Sequence, residues 1–558
     1  MRSVAPVRRE PQAVAAGERG DGVRDDGGRV AAPALEAHNL TFRYAEGEAP
    51  VFEGLPLSVR AGEVVLLMGP SGSGKSTLAY CLAGLYPDYA GELDGEVLVV
   101  GTPVRSLGPR ARAAGVSILF QNPDNQFCMD TVEREVLFAL ENVGWPGDMR
   151  ARMRELLDLV GLGGMEHARI QALSGGTKQK LALCTALACG ARALVLDEPF
   201  ANLDPEACAA LSAGLARLNR ELGVTLLVVD HRAGWWLPLA TRVVLMRRTG
   251  DLDVTSLTPG ELASRVAEFR ELGLFCGDEW AKDYRPPAVA ADAPVAVRAQ
   301  DLAVSHGRRE PAVLSGVSLE VPRGSVCALV GACGSGKSTL LGALAGEFSH
   351  TGKLEVKGSI GLVFQNPRLQ FLALTVSEEV LVTLRAAEPD AAEDELSARV
   401  PGLLAEFGLD GLAERSPYEI SQGQQRRLAM LSMLAGSADV LLLDEPTYAQ
   451  DERSTCRMLD VLMERVAAGL TVVVATHDLA LARAIANQVL LVGDGRVRPL
   501  AGEELAAYVS ERREPAWPGV GEAGDASTAD RAVAGAGDVP AAGAAAASGP
   551  GKEGRATC

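Results

Sequence analysis

Two stretches decide the fold: GEVVLLMGPSGSGKSTL at residues 62–78 and GSVCALVGACGSGKSTL at residues 324–340. In each, a short apolar run of strand-forming residues stops at a glycine-rich turn, and a helical pattern opens on Lys-Ser-Thr. Both fit G-x-x-x-x-G-K-[ST] in the strand–turn–helix setting that this motif requires. The first loop comprises Gly69, Pro70, Ser71, Gly72, Ser73, Gly74, Lys75, Ser76 and Thr77. The second comprises Gly331, Ala332, Cys333, Gly334, Ser335, Gly336, Lys337, Ser338 and Thr339. Such a loop curls so that successive backbone N–H groups face inward around the β- and γ-phosphates of a nucleotide, and the following helix adds its positive end. Lys75 and Lys337 then supply point charges to phosphate oxygens, while Ser76 and Ser338 offer hydroxyls to Mg²⁺.

Working outward, the whole neighbourhood of each loop is repeated once. RALVLDEP (192–199) and DVLLLDEP (439–446) read as buried strands ending in the acid pairs Asp197-Glu198 and Asp444-Glu445. TLLVVDH (225–231) and TVVVATH (471–477) read as the next strands, ending in His231 and His477. Strands separated by helical stretches predict an α/β fold with a parallel sheet covered on both faces, and acids at strand ends then lie beside the phosphate loop. The aspartate can hold Mg²⁺ through water, the glutamate can orient or deprotonate the attacking water, and the histidine can contact the γ-phosphate. Asp204 and Asp451 each stand six residues beyond their glutamate.

A repeat of this length marks duplicated domains, not a solenoid. The reading assigns residues 1–33 to a disordered extension, 34–264 to the first domain, 265–294 to a linker, 295–509 to the second domain and 510–558 to a disordered Ala/Gly/Pro-rich tail. The domains open on LEAHNLTFRY (35–44) and VRAQDLAVSH (297–306), each read as an edge strand. The linker begins as a helical continuation from 261 to 274 and ends in DYRPPAVAADAP (283–294), read as a Pro/Ala tether. A formal net charge of −18 disfavours broad nucleic-acid binding. No run of about 18 uncharged apolar residues offers a membrane span, and no apolar segment follows Arg8 and Arg9 as a signal would require. The ten cysteines contain no C-x-x-C pair, which predicts reduced, mostly buried thiols. The expected place of work is the cytoplasm.

These residues together resemble the ATP-binding-cassette transporter ATPases. Each copy also carries a version of that family's signature, LSGGT at 173–177 and ISQGQ at 420–424. The resemblance implies two P-loop cassettes, each with a parallel RecA-like core, an antiparallel β subdomain and a helical subdomain. It also implies an intramolecular head-to-tail sandwich holding two ATP molecules with Mg²⁺. One composite site would join Lys75, Ser76, Gln121, Asp197, Glu198 and His231 to Ser421, Gln422 and Gly423; the other would join Lys337, Ser338, Gln365, Asp444, Glu445 and His477 to Ser174, Gly175 and Gly176. Both glutamates and both histidines are present, which predicts hydrolysis at both. The glutamine loops FQNPDNQF (120–127) and FQNPRLQF (364–371) look like those of energy-coupling-factor and cobalt-type ATPases, with Gln121 and Gln365 meeting Mg²⁺ and water. That narrower likeness implies uptake of a vitamin or metal ion through an integral-membrane coupling subunit and a substrate-binding membrane subunit, with the chain on the cytoplasmic face of the membrane.

The rival reading is a soluble tandem ATPase acting on ribosomes or DNA. It would call for a long charged linker, basic extensions, zinc pairs or heptad arms, and the acidic sequence with a Pro/Ala tether lacks them. A non-hydrolysing scaffold conflicts with Glu198 and Glu445. Two departures predict unequal sites. Tyr44 lies 25 residues before Gly69 (69 − 44), and His306 lies 25 before Gly331 (331 − 306), so adenine stacking, worth ~1–3 kcal/mol per base, should be weaker at the second site. Gln422 replaces the first signature glycine, removing a position expected to tolerate positive φ and placing an amide near a γ-phosphate. Cys333, inside the second loop, is read as a small packing residue. Trp235 and Trp236 read as an apolar seam or a partner-facing surface, between which the sequence does not decide.

Overall fold

A computed structural model describes residues 32–44, 49–86, 91–200, 203–249, 251–275, 277–290, 292–307 and 310–515. The expected disorder of 1–31 and 516–558 lies outside the described residues. In the first cassette six strands form one sheet in the order Asp251–Leu257, Arg242–Thr249, Val64–Met68, Thr225–Val229, Ala193–Asp197, Val116–Leu119. The second cassette repeats the order with Arg496–Pro499, Gln488–Gly493, Val326–Val330, Thr471–Ala475, Val440–Asp444 and Ile360–Val363. All neighbours are parallel except the hairpin pair at one edge.

Alternation along the central strand explains why it is apolar throughout. Val64, Leu66 and Met68 face one hydrophobic cluster, Val65 and Leu67 the other, and all five are buried. One face is covered by helices, including Val132–Val143, Met149–Leu159 and Gly175–Ala188. The other is covered by the antiparallel sheet and the helix Lys75–Leu82 that follows the phosphate loop. The fold is thus two P-loop cassettes, each with parallel core, antiparallel sheet and helical region.

Three expectations need correction. The opening strands Pro33–Arg43 and Val295–Ser305 are not edges: each is paired on both sides, by Phe52–Arg60 and Glu92–Val99 and by Leu314–Pro322 and Ser349–Val356. Their alternating pattern identified a half-buried strand but carried no information about how many neighbours it has. Nor is the linker a free tether. Phe275 and Trp280 enter the core cluster of the second cassette, Tyr284 Oη donates to Asp460 Oδ1 at 2.8 Å, and Asn487 donates to the Pro287 carbonyl at 2.8 Å. Burying each aromatic contributes about 1.5–3 kcal/mol, enough to hold a segment whose Pro/Ala content alone suggests slack. The helix Gly502–Glu511 also crosses the boundary drawn at 509, and the described chain continues to Pro515.

Candidate active sites

Each phosphate loop is shaped by a close backbone approach. A Cβ at Gly69 would lie 2.3 Å from the Met246 carbonyl oxygen, and one at Gly331 would lie 2.2 Å from that of Val492. Gly74 and Gly336 then cap the helices at φ 94° and 102°, in the left-handed region. The loops close on their own lysines: Lys75 Nζ donates to the Gly69 and Pro70 carbonyls at 2.7 and 2.9 Å, and Lys337 Nζ to those of Gly331 and Ala332 at 2.8 and 3.0 Å. Burial pulls the Lys75 ammonium below its ordinary range, with Glu198 and Asp451 opposing. The hydroxyls of Ser73 and Ser335 are buried without a hydrogen-bond partner. A glycine loop pressed close to the neighbouring strand, a buried ammonium and an orphaned hydroxyl fit a bound polyphosphate. At the loop's far side Thr77 bonds Tyr44 Oη at 2.7 Å, and Thr339 bonds His306 Nε2 at 3.0 Å, so the histidine takes the tyrosine's place.

The acids lie where the strands end. Ser76 Oγ donates to Asp197 Oδ1 at 3.0 Å, and Ser338 pairs with Asp444 in the same way, which brings together the hydroxyl and carboxylate that Mg²⁺ would share. Burial, with Glu198 beside it, pushes the Asp197 carboxyl up to about 7; burial pushes Asp444 to about 6. Glu198 and Glu445 sit at φ 47° and 51°, a strained region for a non-glycine residue, costing about 1–3 kcal/mol each. His231 Nδ1 lies 3.1 Å from Glu198, and His477 Nδ1 lies 2.9 Å from Glu445. Burial opposes all four charges, but within each pair the opposite charge prevails: both glutamates are held below and both histidines above their ordinary values. The pairs differ in their remaining partners. Gln121 Nε2 donates to Glu198 at 2.5 Å, whereas Glu445 accepts from Thr476 Oγ1 and the His477 N–H, both at 3.2 Å. Asp230 stands where Thr476 would be and accepts from Trp236 Nε1 at 2.8 Å instead.

Ser174 and Ser421 cap the signature helices, accepting from the Thr177 and Gln424 N–H groups at 3.3 Å. Gly175 and Gln422 are the first helical residues, with no positive φ, so the backbone strain expected at Gln422 is absent. The demanding position is the single glycine of the ISQGQ segment: a Cβ at Gly423 would lie 2.6 Å from the Ala449 carbonyl oxygen. Just beyond, Asp204 and Asp451 cap the helices Pro205–Leu222 and Glu452–Ala467 with Oδ1, while each Oδ2 reaches the opposite cassette. Ser71 N–H donates to Asp451 at 3.0 Å and Cys333 N–H to Asp204 at 2.9 Å. Each phosphate loop is therefore gripped by the other half, in head-to-tail order.

Sequence reasoning noted these two aspartates but gave them no role, and it missed Arg426 altogether. Arg426 is 1% exposed; its guanidinium donates to the Phe364 and Asp444 carbonyls at 3.0 Å and also to that of Gln365, pinning the second glutamine loop. Gln179, at the same offset from its signature, is buried with both amide atoms unpartnered. Aligning the two copies position by position would have exposed that difference.

A twin set of nucleotide cradles, each completed by an acid pair and a histidine, the first also by Gln121, and each touched by the opposing half, defines a tandem nucleotide-hydrolysing cassette protein. The family model described as ABC transporter matches residues 52–201 and 314–448. The chain is 35% identical over 499 residues to the "Putative HMP/thiamine import ATP-binding protein YkoD" of Bacillus subtilis (strain 168), covering 82% of this chain and 90% of that one. A Streptomyces coelicolor protein, also named as an ABC transporter ATP-binding protein, is 33% identical, with 83% and 93% covered. Among solved structures, a ribosome-bound archaeal Pelota and ABCE1 model aligns with TM-score 0.60 at 20% identity, covering 89% of this chain and 86% of that one. The structure titled RNase-L Inhibitor aligns with TM-score 0.58, also at 20% identity, covering 89% and 99%. At that identity the two structures share the fold alone. The chain belongs to the ABC transporter family, as an ATPase with two ATP-binding cassettes.

Proposed function

We propose that this chain is the ATP-hydrolysing subunit of an energy-coupling-factor-like importer, working at the cytoplasmic face of a membrane. The observation that carries the reading is the reciprocal pairing of Ser71 with Asp451 and Cys333 with Asp204, which supports two nucleotides clamped between cassettes. Each site would combine the loop, acids, glutamine and histidine of one cassette with the signature of the other, and Mg²⁺ would sit between the Ser76–Asp197 or Ser338–Asp444 pair and the phosphates. Closure around ATP and release after hydrolysis would move the helical regions beyond Gln121 and Gln365, where a membrane partner's helices would dock. No helix of the described residues is long and apolar enough to cross a membrane, and in this reading the path for solute would belong to other subunits.

The QNPxxQ glutamine loops and the thiamine-related name of the Bacillus subtilis relative favour a vitamin or vitamin precursor as cargo. The test is affinity purification of the full chain from membranes of its own host. Expected are an integral coupling subunit and a small binding subunit carrying an apolar-pocketed micronutrient, with ATP turnover that rises when the complex is reconstituted in bilayers. Recovery with ribosomes or DNA and no membrane protein would overturn the transport reading.

A further inference from the structure

The residues that follow the two catalytic-site histidines meet each other. Arg232, next to His231, and Asp478, next to His477, form a cross-cassette ion pair with Nη2 to Oδ2 at 2.8 Å. The guanidinium also lies over the Phe275 ring at 4.3 Å and 3.7 Å from Glu514. Burial works against the Arg232 charge, but Asp478 and Glu514 outweigh it and hold the group above its ordinary range. Glu514 arrives from the chain beyond the last helix of the second cassette, and its other oxygen accepts from the Gly234 N–H at 2.7 Å. A Cβ on Gly234 would lie 2.4 Å from Glu514 Cγ, so this seat fits only glycine. Arg513 secures the same segment to Asp278 at 3.2 Å.

We propose that Arg232 is a positioning residue that ties the histidine loop of one ATP site to that of the other, with Glu514 of the C-terminal segment completing the clasp. Asp478 is only 6% exposed at its side chain, so parting it from Arg232 strands a buried carboxylate. A shift of His231 away from Glu198 on γ-phosphate loss therefore strains the His477 loop 246 residues further on, and the reverse holds equally. The two halves are not interchangeable: the first supplies the cation and the second the anion. This inference rests on His231 and His477 serving hydrolysis, as in the proposed function.

The experiment compares the full-length chain with Arg232→Met, Asp478→Asn and the double variant in steady-state ATP hydrolysis, with thermal unfolding of each. Each single change is expected to lower kcat by about 3- to 10-fold with KM moved less than about twofold, and the double variant to lose no more than either single one. The Hill coefficient for ATP should fall toward one in all three. Arg232→Lys, which keeps the charge, should recover part of kcat and cooperativity; it remains informative if the methionine variant fails to fold. Losses that multiply in the double variant, an unchanged Hill coefficient, or a fall in Tm with kcat intact would overturn the clasp. A wild-type chain that hydrolyses no ATP would instead refute the reading beneath it.

Discussion

The reciprocal aspartates allow a perturbation whose effect on one site can be separated from its effect on the other. In Asp451 the two carboxylate oxygens have different duties: Oδ1 accepts from the Ser454 N–H at 2.8 Å and caps its own helix, while Oδ2 accepts from Ser71 across the boundary. Asp451→Asn keeps one acceptor for the cap and removes the charged acceptor facing Ser71. A hydrogen bond to a charged group contributes about 1.5–3 kcal/mol, so the grip on the first phosphate loop should loosen about 10- to 150-fold. Asp451→Ala loses the cap as well, worth about 1 kcal/mol more. Hydrogen exchange of peptides covering residues 69–76 and 331–338 reads the two loops separately. Asp451→Asn should accelerate exchange at Ser71 by at least about tenfold and leave Cys333 unchanged, and Asp204→Asn should do the opposite. Equal acceleration of both loops in either variant, or none in both, would refute a reciprocal head-to-tail grip.

Gly69→Ala drives a methyl into the Met246 carbonyl, and with a cost of about 1–3 kcal/mol concentrated at the loop it should abolish one of two ATP-analogue binding events in calorimetry while leaving the second. Burial, opposed by Arg232 and the Gly234 N–H and reinforced by Asp230 and Asp278, pushes the Glu514 carboxyl up to about 7 from an ordinary 4.5. Between those values the folded chain holds more protons there than the unfolded one, so this group's contribution to stability is fullest below pH 4.5 and declines as pH rises to 7. Glu514→Gln should therefore gain on the wild type by about 2–4 °C in Tm between pH 5 and 7.5; parallel Tm curves would count against a buried carboxyl at 514. Glu198→Gln and Glu445→Gln should lower steady-state hydrolysis unequally, by a ratio of at least about three, because the two glutamates are held by different partners; equal losses would speak for equivalent sites.

The cassette fold was legible because its decisive elements are local. A five-residue apolar strand, a glycine turn and a Lys-Ser helix start need no distant information, and neither do strands that end in Asp-Glu. What was not legible depends on partners far along the chain. The opening strands gained a second neighbour from residues 44 to 64 positions away, and the linker gained its hold from Phe275 and Trp280 entering a core built by the second cassette. Trp235 and Trp236 divided: Trp236 is buried and stacked on Phe200 at 4.3 Å, whereas Trp235 borders the cavity between cassettes. Gln422 was misjudged because a signature glycine suggests positive φ, whereas Gln422 opens its helix without positive φ, as Gly175 does in the first copy.

The pattern of divergence between the copies carries its own argument. Residues that shape the phosphate cradle are nearly identical, and the central parallel strands, VVLLM in one copy and VCALV in the other, are apolar and buried throughout in both, since a Cβ on a loop glycine or a polar group in the strand has nowhere to go. The differences gather where a side chain reaches toward the other half or toward a glutamine loop: Arg232 against Asp478, Asp230 against Thr476, Gln179 against Arg426, Tyr80 against Gly342. Tyr80 bonds Asp197, and no hydroxyl can do so from Gly342. Arg426 fixes the second glutamine loop through three backbone carbonyls, while the first loop reaches Glu198 through its own side chain and leaves Gln179 unpaired beneath it. Charge and hydrogen-bond complementarity across an interface can be satisfied by opposite residues on the two sides, so duplication frees these positions to specialise while the cradle stays fixed. One cassette thus holds its glutamine loop by the backbone and the other by contact with its glutamate, and the first of these arrangements should move less when phosphate leaves.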